Sequence, residues 1–408
     1  MSGALLGCVE RMRRVVVIEF CFADRRRDFR QIRSFINARI KWVRDPYLDA
    51  AVEREKNLKP LHSLKSLILS QPSQTLSLST ISPLKPLLNL PVAAEKFIRN
   101  YPLIFKIFLP PGRPNPLPHV KLTPRALSLH HDEALILGMS HYRRDLSKRL
   151  SKLLMIGRTG KLPLWLIEMF RYDLGLPHDY LLSFLVEYPE YFQIREIGKA
   201  AFGLELVSWR DELSVSEMES RRFETGMPVR YSMKFPNGFD LQKRVAEWME
   251  EWQNLPYISP YENAFHLSPS GDHAERWAVG IIHEVLSLTV SKKTERENLF
   301  RLADFLGIGR LRFKKALVHF SGIFYTSNKI RTQTVVLKEA FGKRTLIQNH
   351  PLMAMRSKYV GAMNLVLRHG KPYGRNADND RKKSRSQRRR VDVDYNRISR
   401  SEVGLSIM

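Results

Sequence analysis

Five cations in one short segment have the clearest chemical potential in this sequence. Residues 140–154 hold five basic side chains and one acidic residue, and the basic ones recur at helical spacing. The five are Arg143, Arg144, Lys148, Arg149 and Lys152. Side chains four residues apart lie on one face of an α-helix, so Arg144, Lys148 and Lys152 form a stripe. That stripe is either an ordinary solvated helix face or a surface that binds the phosphates of a polyanion.

Further cations fall at predicted hairpin tips, beside predicted helices and near the start of the folded part. Lysine and arginine at exposed positions supply most phosphate contacts in protein–nucleic acid complexes. We therefore add nine residues to the predicted phosphate-binding set: Lys41, Arg44, Arg113, Arg195, Lys199, Arg310, Arg312, Lys329 and Arg331.

No group of residues has the spacing of a catalytic or metal-binding motif. The histidines of His130-His131-Asp132-Glu133 are adjacent and point in different directions on a helix, so we expect a cap or a solvated turn there. Gly307-Ile308-Gly309 lacks the third glycine of a dinucleotide-binding loop. Cys8 and Cys21 are the only cysteines, which excludes a disulfide framework and a cysteine-rich zinc site. We predict no enzymatic activity, no metal and no cofactor; an enzyme without a local motif stays as an alternative.

The net charge of the chain is strongly positive throughout. The 408 residues include 67 Lys and Arg against 41 Asp and Glu, which gives a net charge of +26. Residues 1–44 carry +7 and residues 371–408 carry +6, so +13 remains between them. Such a field attracts polyanions, and nucleic acid or an anionic membrane surface are the candidate partners. No run of 18 apolar residues occurs, so we predict no transmembrane helix.

Both ends of the chain differ in composition from the middle. Residues 1–40 are rich in arginine with apolar residues between, as in a leader that directs a protein to an organelle; a basic arm of a nuclear or cytosolic protein is the alternative, since four acidic residues interrupt the pattern. Residues 371–408 have few apolar residues, and we predict a basic disordered tail that contacts phosphates without sequence preference.

A pattern of a turn, a helix and two spaced aromatic residues recurs three times. The copies run from Leu88 to Phe105, from Leu174 to Phe192 and from Leu306 to Phe324. Each begins with a Leu-x-Leu-Pro or similar turn, and each enters a β-like run after the aromatics. Repeats of this kind indicate that one structural unit is used several times.

The repeat predicts a mostly helical α+β fold of three units, at about 48–125, 160–212 and 274–340. Each unit has a helix-turn-helix followed by a β-hairpin, as in a winged helix. The alternative is compact packing of helices and hairpins without that relationship.

Individual elements follow from periodicity. Helical spacing is predicted over 48–70, 163–174, 178–188, 239–255, 276–288, 296–306 and 310–320. Alternation predicts strands over 103–109, 119–122, 191–195, 202–209, 322–326 and 332–338, and a further strand over 226–236 without an evident partner.

Taken in order, several of these motifs resemble the plant organelle RNA recognition domain family. The resemblance runs from about residue 41 to 370 and rests on the segments Lys41–Pro46, Phe97–Phe105, Leu153–Met155, Leu174–Tyr180, Tyr188–Phe192, Gly226–Val229, Pro256–Tyr261 and Phe320–Tyr325. It implies a plant protein imported into mitochondria, or alternatively chloroplasts, that binds intron-containing RNA and promotes group II intron splicing beside other splicing factors. It also implies no catalytic residues, because such introns carry out their own chemistry. The cations named above are then the predicted RNA-binding residues.

Three competing functions stay open. The Leu-Gly-Leu turn and later Tyr-Pro are similar to mitochondrial transcription termination factors, whose repeats are all-helical and about 30 residues long, whereas the copies here lie farther apart and end in predicted strands. A nuclear winged-helix DNA-binding protein fits the unit architecture. An enzyme or membrane-surface protein fits the charge alone.

Overall fold

The computed structural model describes residues 43–111, 117–197, 201–235, 242–268 and 271–369. Within these residues the fold is mixed α/β and mostly helical, with small antiparallel sheets, as the sequence predicts. The predicted leader and tail lie outside the described residues.

The first region contains four helices and three strands. They are α1 (Pro46–Glu53), α2 (Leu58–Leu69), β1 (Thr75–Ser77), α3 (Leu78–Ile81), α4 (Ala94–Arg99), β2 (Phe105–Phe108) and β3 (His119–Leu122). The single helix predicted over 48–70 is wrong, because α1 and α2 pack into different cores. Asn57 lies at the break and donates a 2.6 Å hydrogen bond to the Tyr101 hydroxyl, which fixes the start of α2 beside the end of α4.

Four helices and three strands form the second region. They are α5 (Pro124–Gly138), α6 (Ser140–Met155), β4 (Lys161–Pro163), α7 (Leu164–Leu174), α8 (Tyr180–Ser183), β5 (Phe192–Ile197) and β6 (Ala201–Leu206). The helix predicted over 178–188 shortens to α8 and a 3-10 turn at Leu185–Glu187.

The third region is the last that the structure describes. It contains α9 (Glu217–Thr225), α10 (Lys243–Asn254), α11 (Asp272–Leu288), β7 (Lys293–Glu295), α12 (Arg296–Phe305), α13 (Arg310–His319), β8 (Phe324–Ser327), β9 (Thr334–Leu337), β10 (Phe341–Gly342), β11 (Thr345–Leu346) and α14 (Pro351–His369).

The strand predicted over 226–236 does not form in its described part. Instead, the Gln253 side chain on α10 takes the place of a strand partner. Its Oε1 accepts from the Tyr231 amide at 3.0 Å and its Nε2 donates to the Tyr231 carbonyl at 2.9 Å. Val229 and Tyr231 are buried, so the alternation that predicted a strand comes from an extended segment packed on α10 and α11.

The three-stranded sheets share one topology. Their strand orders are β1-β3-β2, β4-β6-β5 and β7-β9-β8, and all pairs are antiparallel. In each case a helix precedes a three-residue strand, two helices follow, and a two-stranded hairpin ends the set. The helix before β4 is α6, which the sequence pattern placed between the units.

The recurring turn has one backbone requirement in all three copies. The residue after the first leucine of the motif has a positive φ: 52° at Asn89, 77° at Gly175 and 72° at Gly307. Glycine and asparagine adopt this left-handed conformation with least strain, which accounts for the residue types found. At Gly175 a Cβ would also lie 2.6 Å from the Tyr142 hydroxyl, so only glycine fits.

The two ends of the described chain pack on each other's regions. Helix α1 buries Leu48, Ala51 and Val52 against β8 and β9 of the third region. Helix α14 buries Met355, Tyr359 and neighbouring side chains in the core of the first region. This exchange packs the first and third regions of the described chain against each other.

Candidate nucleic-acid interface

Helix α6 presents two exposed cations on a firmly packed element. Its leucine stripe is buried in the main core, including Leu146 and Leu150. Arg144 and Lys148 lie on the outer face, and neither forms an ion pair within the described residues. Their charges are therefore available to an anionic partner.

The other three predicted cations of α6 have structural contacts. Arg149 is only 9% exposed; it donates to the Leu174 carbonyl at 2.5 Å and to Asp145 at 2.9 Å. We therefore withdraw it from the RNA-binding set. The run of cations in the sequence did not show which of its members faces a neighbouring helix.

Arg143 and Lys152 are held by neighbouring segments. Arg143 donates to the Ser183 carbonyl and pairs with Glu187 at 3.0 Å. Lys152 pairs with Glu284 at 3.1 Å, and that carboxylate is 1% exposed. Arg143 and Lys152 are therefore each already paired with a carboxylate of the protein.

Helix α13 and the β8–β9 hairpin form a second basic surface. Arg312, Lys329 and Arg331 have no ion pair in the part of the chain that the structure describes, and the last two are exposed. Arg310 differs, because it pairs with Asp304 at 2.5 Å and with Glu297 at 3.4 Å.

Lys314 and Lys315 extend the α13 surface and were missed from the sequence. The segment Arg310–Lys315 carries four basic residues and no acidic one, which was the signal available. Lys314 is exposed and Lys315 half-buried, and no ion pair involves either among the described side chains.

A pair of lysines on the first hairpin was also missed. Lys106 on β2 and Lys121 on β3 lie directly opposite each other, and both are exposed. Like charges at directly opposed positions destabilise a hairpin unless an anion or solvent screens them. Alternation along both strands was the signal available in the sequence, since each lysine lies between apolar residues.

The remaining predicted cations contribute less. Arg44 pairs with Asp49 at 2.8 Å, and Arg195 pairs with Glu205 at 3.2 Å. Lys41, Arg113 and Lys199 lie outside the described residues.

Glu133, a candidate from the sequence, and the buried His283 both have structural contacts. Glu133, expected in a cap or solvated turn, instead accepts from buried Lys65 and from the Tyr359 hydroxyl at 3.2 Å, so that expectation is wrong. His283 bonds Glu339 at 2.8 Å; burial opposes ionisation of that carboxyl, but His283 and Arg221 lower its pKa to about 2. The described residues hold no cluster of His, Cys, Asp or Glu suited to a metal ion. Among them, no helix combines the length and apolarity needed to cross a membrane.

Comparison with protein families matches residues 43–368 to the plant organelle RNA recognition domain. WHAT'S THIS FACTOR 9, mitochondrial, of Arabidopsis thaliana is 32% identical over 346 residues, covering 82% of this chain and 87% of the relative. WHAT'S THIS FACTOR 1, chloroplastic, of Zea mays is 27% identical and covers 79% of this chain and 66% of the relative. ROOT PRIMORDIUM DEFECTIVE 1 of Arabidopsis thaliana is 30% identical, with 81% and 84% covered. No solved structure matches the chain.

Proposed function

The chain belongs to the plant organelle RNA recognition domain family, and from this membership we infer that it is an RNA-binding protein that promotes group II intron splicing in a plant organelle. The observation that carries this conclusion is the family match over residues 43–368, which spans nearly all of the described chain. The net charge of +26 gives the field that a polyanionic partner requires.

We propose that RNA is held by the unpaired cations rather than by the whole predicted set. Arg144 and Lys148 form one contact region on α6, and Arg312, Lys314, Lys329 and Arg331 form another around α13. Lys106 and Lys121 supply a third on the first hairpin. Contacts spread over separate regions suit a folded RNA, whose phosphates lie at several distances and orientations.

The three sheet-containing units are proposed to be winged-helix-like. Their support is the common element order and the common sheet order, in which the short first strand pairs with the last strand of the hairpin. In such a unit the second helix of the turn and the hairpin tip are the parts that approach nucleic acid. In the third unit these are α13 and residues 328–333, where the unpaired cations lie.

The protein is proposed to act without catalysis of its own, by stabilising the folded intron. Residues 1–40 serve as an organelle leader, 41–370 as the RNA-binding domain and 371–408 as a basic tail. The compartment is the mitochondrion, as in the printed name of one relative, with the chloroplast as the alternative given by others. Other splicing factors are the expected protein partners.

Crosslinking in plant tissue followed by sequencing of the bound RNA tests this function. Enrichment of organellar intron sequences is the expected result. Recovery of nuclear DNA-bound complexes, or equal competition by duplex DNA and intron RNA in vitro, would favour the DNA-binding alternative. A fluorescent fusion of residues 1–60 identifies the compartment.

A further inference from the structure

A small cavity in the third region has cations in its lining and no carboxylate. It lies between α12, α13 and β8 and has a volume of about 220 Å³. Arg296, Lys314 and Lys338 are the charged residues that line it. Phe300, Leu317, Val318 and Phe324 form its apolar walls, and Ser321, Thr326, Asn328 and Gln333 supply polar groups.

Lys338 is the most informative of these residues. It is 6% exposed, and its ammonium has one long hydrogen bond, 3.4 Å to the Ser321 carbonyl. No ion pair involves it among the described side chains. Burial lowers its pKa, while Asp45 acts in the opposite direction only through longer-range attraction. A buried cation without a paired anion is costly, and proteins rarely keep one unless a ligand compensates for it.

Two buried polar atoms in the cavity lining also indicate a bound ligand. The Ser321 hydroxyl and the Gln333 amide oxygen, both in the lining residues, lack hydrogen-bond partners. Buried polar atoms normally have a partner, so these two groups are suited to a ligand with its own donors. An anion alone would satisfy Lys338 but not an acceptor such as the Gln333 oxygen.

We propose that this cavity binds one unpaired nucleotide of the RNA. Its phosphate is held by Lys338, Lys314 and Arg296, and its base lies against Val318 with its polar edge towards Asn328 and Gln333. Single-stranded bases are recognised in this way, by apolar contact and by hydrogen bonds to their exposed edges. The adjoining hairpin carries Lys329 and Arg331, which fit the neighbouring phosphates of a continuous strand. The inference rests on the proposed RNA-binding function and specifies where an unpaired residue enters.

Two adjacent lysines on α13 provide the matched test. Lys314 lines the cavity and Lys315 does not. Lys314→Gln and Lys315→Gln therefore remove the same charge from the same helix, one inside the proposed site and one outside. The probe is a 20-nucleotide single-stranded RNA containing 4-thiouridine, compared with its fully paired duplex at constant ionic strength.

We expect Lys314→Gln to weaken binding of the single strand about tenfold and that of the duplex about as little as Lys315→Gln does. Crosslinking of the 4-thiouridine should label residues 314–328 in the unaltered protein and not in Lys314→Gln. Lys338→Met should raise the Tm of the free protein, because it removes an uncompensated buried charge. It should also weaken binding of the single-stranded RNA. A purely structural lysine would instead lower the Tm.

Distinct outcomes separate this inference from the proposed function. If the unaltered protein binds neither RNA, the RNA-binding function fails. If it binds both RNAs but the two glutamine variants behave alike and no crosslink falls at 314–328, only the cavity assignment is overturned. Uridine monophosphate that competes as strongly as the RNA strand would show a free-nucleotide site and would also overturn it.

Discussion

At the scale of single residues, the contacts of Asp49 explain the role of Arg44 in the Lys41–Pro46 segment. Its carboxylate accepts from Ser327 at 2.6 Å, from Tyr325 at 2.9 Å and from Arg44 at 2.8 Å. Burial opposes ionisation, but these hydrogen bonds outweigh it and hold the pKa of Asp49 below its usual range. Arg44, predicted to contact RNA, thus helps to fasten α1 to β8.

Asp49→Ala should lower the free energy of unfolding by about 3 kcal/mol, because it leaves the buried Tyr325 and Ser327 hydroxyls without their charged acceptor. Urea denaturation measures the change. Glu53→Ala, at an exposed position of the same helix, is the control and should cost less than about 0.5 kcal/mol. Equal effects of the two substitutions would show that Asp49 does not anchor α1.

His62 makes stability depend on pH. Burial lowers its pKa to about 3, against a value of about 6.5 in an unfolded chain. Between these values the unfolded state binds a proton that the folded state does not, so the free energy of unfolding falls as the pH falls below 6.5. The loss from this residue should be about 2 kcal/mol between pH 7 and pH 5.

His62→Phe should flatten this part of the pH profile while it keeps the ring contacts with Tyr172 and Tyr359, whose centroids lie 5.8 and 4.8 Å away. Urea denaturation at pH 5 and 7 supplies the comparison. His273→Phe, at an exposed site on α11, should leave the profile as it is. An unchanged slope in His62→Phe would contradict the assignment.

At the scale of elements, the cationic stripe of α6 has members with different roles: Arg144 and Lys148 are proposed to bind RNA, whereas Lys152 stabilises the fold. Arg144→Glu with Lys148→Glu should weaken RNA binding by 10- to 100-fold and reduce the slope of log affinity against log salt by about 2, while the Tm changes little. Fluorescence anisotropy across a salt series measures both quantities. Lys56→Glu with Lys243→Glu changes the net charge equally away from the proposed surface and should have a smaller effect.

Lys152→Glu should act on the fold instead, since it places a second carboxylate beside buried Glu284. We expect a loss of about 3–5 kcal/mol in the free energy of unfolding, read from urea denaturation. Full stability with reduced RNA affinity would return Lys152 to the RNA-binding set.

The sequence predicted helices and strands correctly where an apolar pattern repeats over many residues. It failed where contacts with distant residues determine whether an element forms. The helices α6, α7, α11, α12 and α13 follow from the spacing of apolar residues, and so do the two hairpin strands in each three-stranded sheet; the β10–β11 pair was not predicted. The strands β1, β4 and β7 have three residues each, too few for an alternation to be seen. The break between α1 and α2 depends on two separate cores, and residues 226–235 imitate a strand because Gln253 replaces its partner.

The sequence predicted the kind of ligand that the candidate site binds, but it did not identify all of the residues that form the site. Net charge and local runs of Lys and Arg pointed to a polyanion. Which cations stay unpaired depends on acids brought near by folding, as Glu284 is to Lys152 across 132 positions of the chain. The cavity residue Lys338 could not be recognised at all, because a lone lysine after an apolar strand has no distinctive pattern.

At the scale of the whole molecule, the exchange of α1 and α14, the first and last helices of the described residues, should make folding of the first and third regions depend on each other. Removal of residues 351–408 uncovers the first core, where five buried apolar side chains of α14 contribute on the order of 10 kcal/mol. That is comparable to the total stability of a typical domain, so we expect loss of the cooperative thermal transition. Removal of residues 371–408 alone should keep the Tm and lower the RNA affinity. Circular dichroism measures the thermal transition of each truncated protein, and fluorescence anisotropy measures its RNA affinity. A 1–350 fragment that folds stably would contradict the exchange of helices α1 and α14.

The dependence of RNA affinity on salt tests the central claim most directly, that this basic surface binds RNA through its phosphates. The full chain should be titrated with a group II intron domain between 50 and 200 mM salt. If about six phosphates are engaged, affinity should fall by about three orders of magnitude across this range. An affinity that stays constant over the same range would contradict the account.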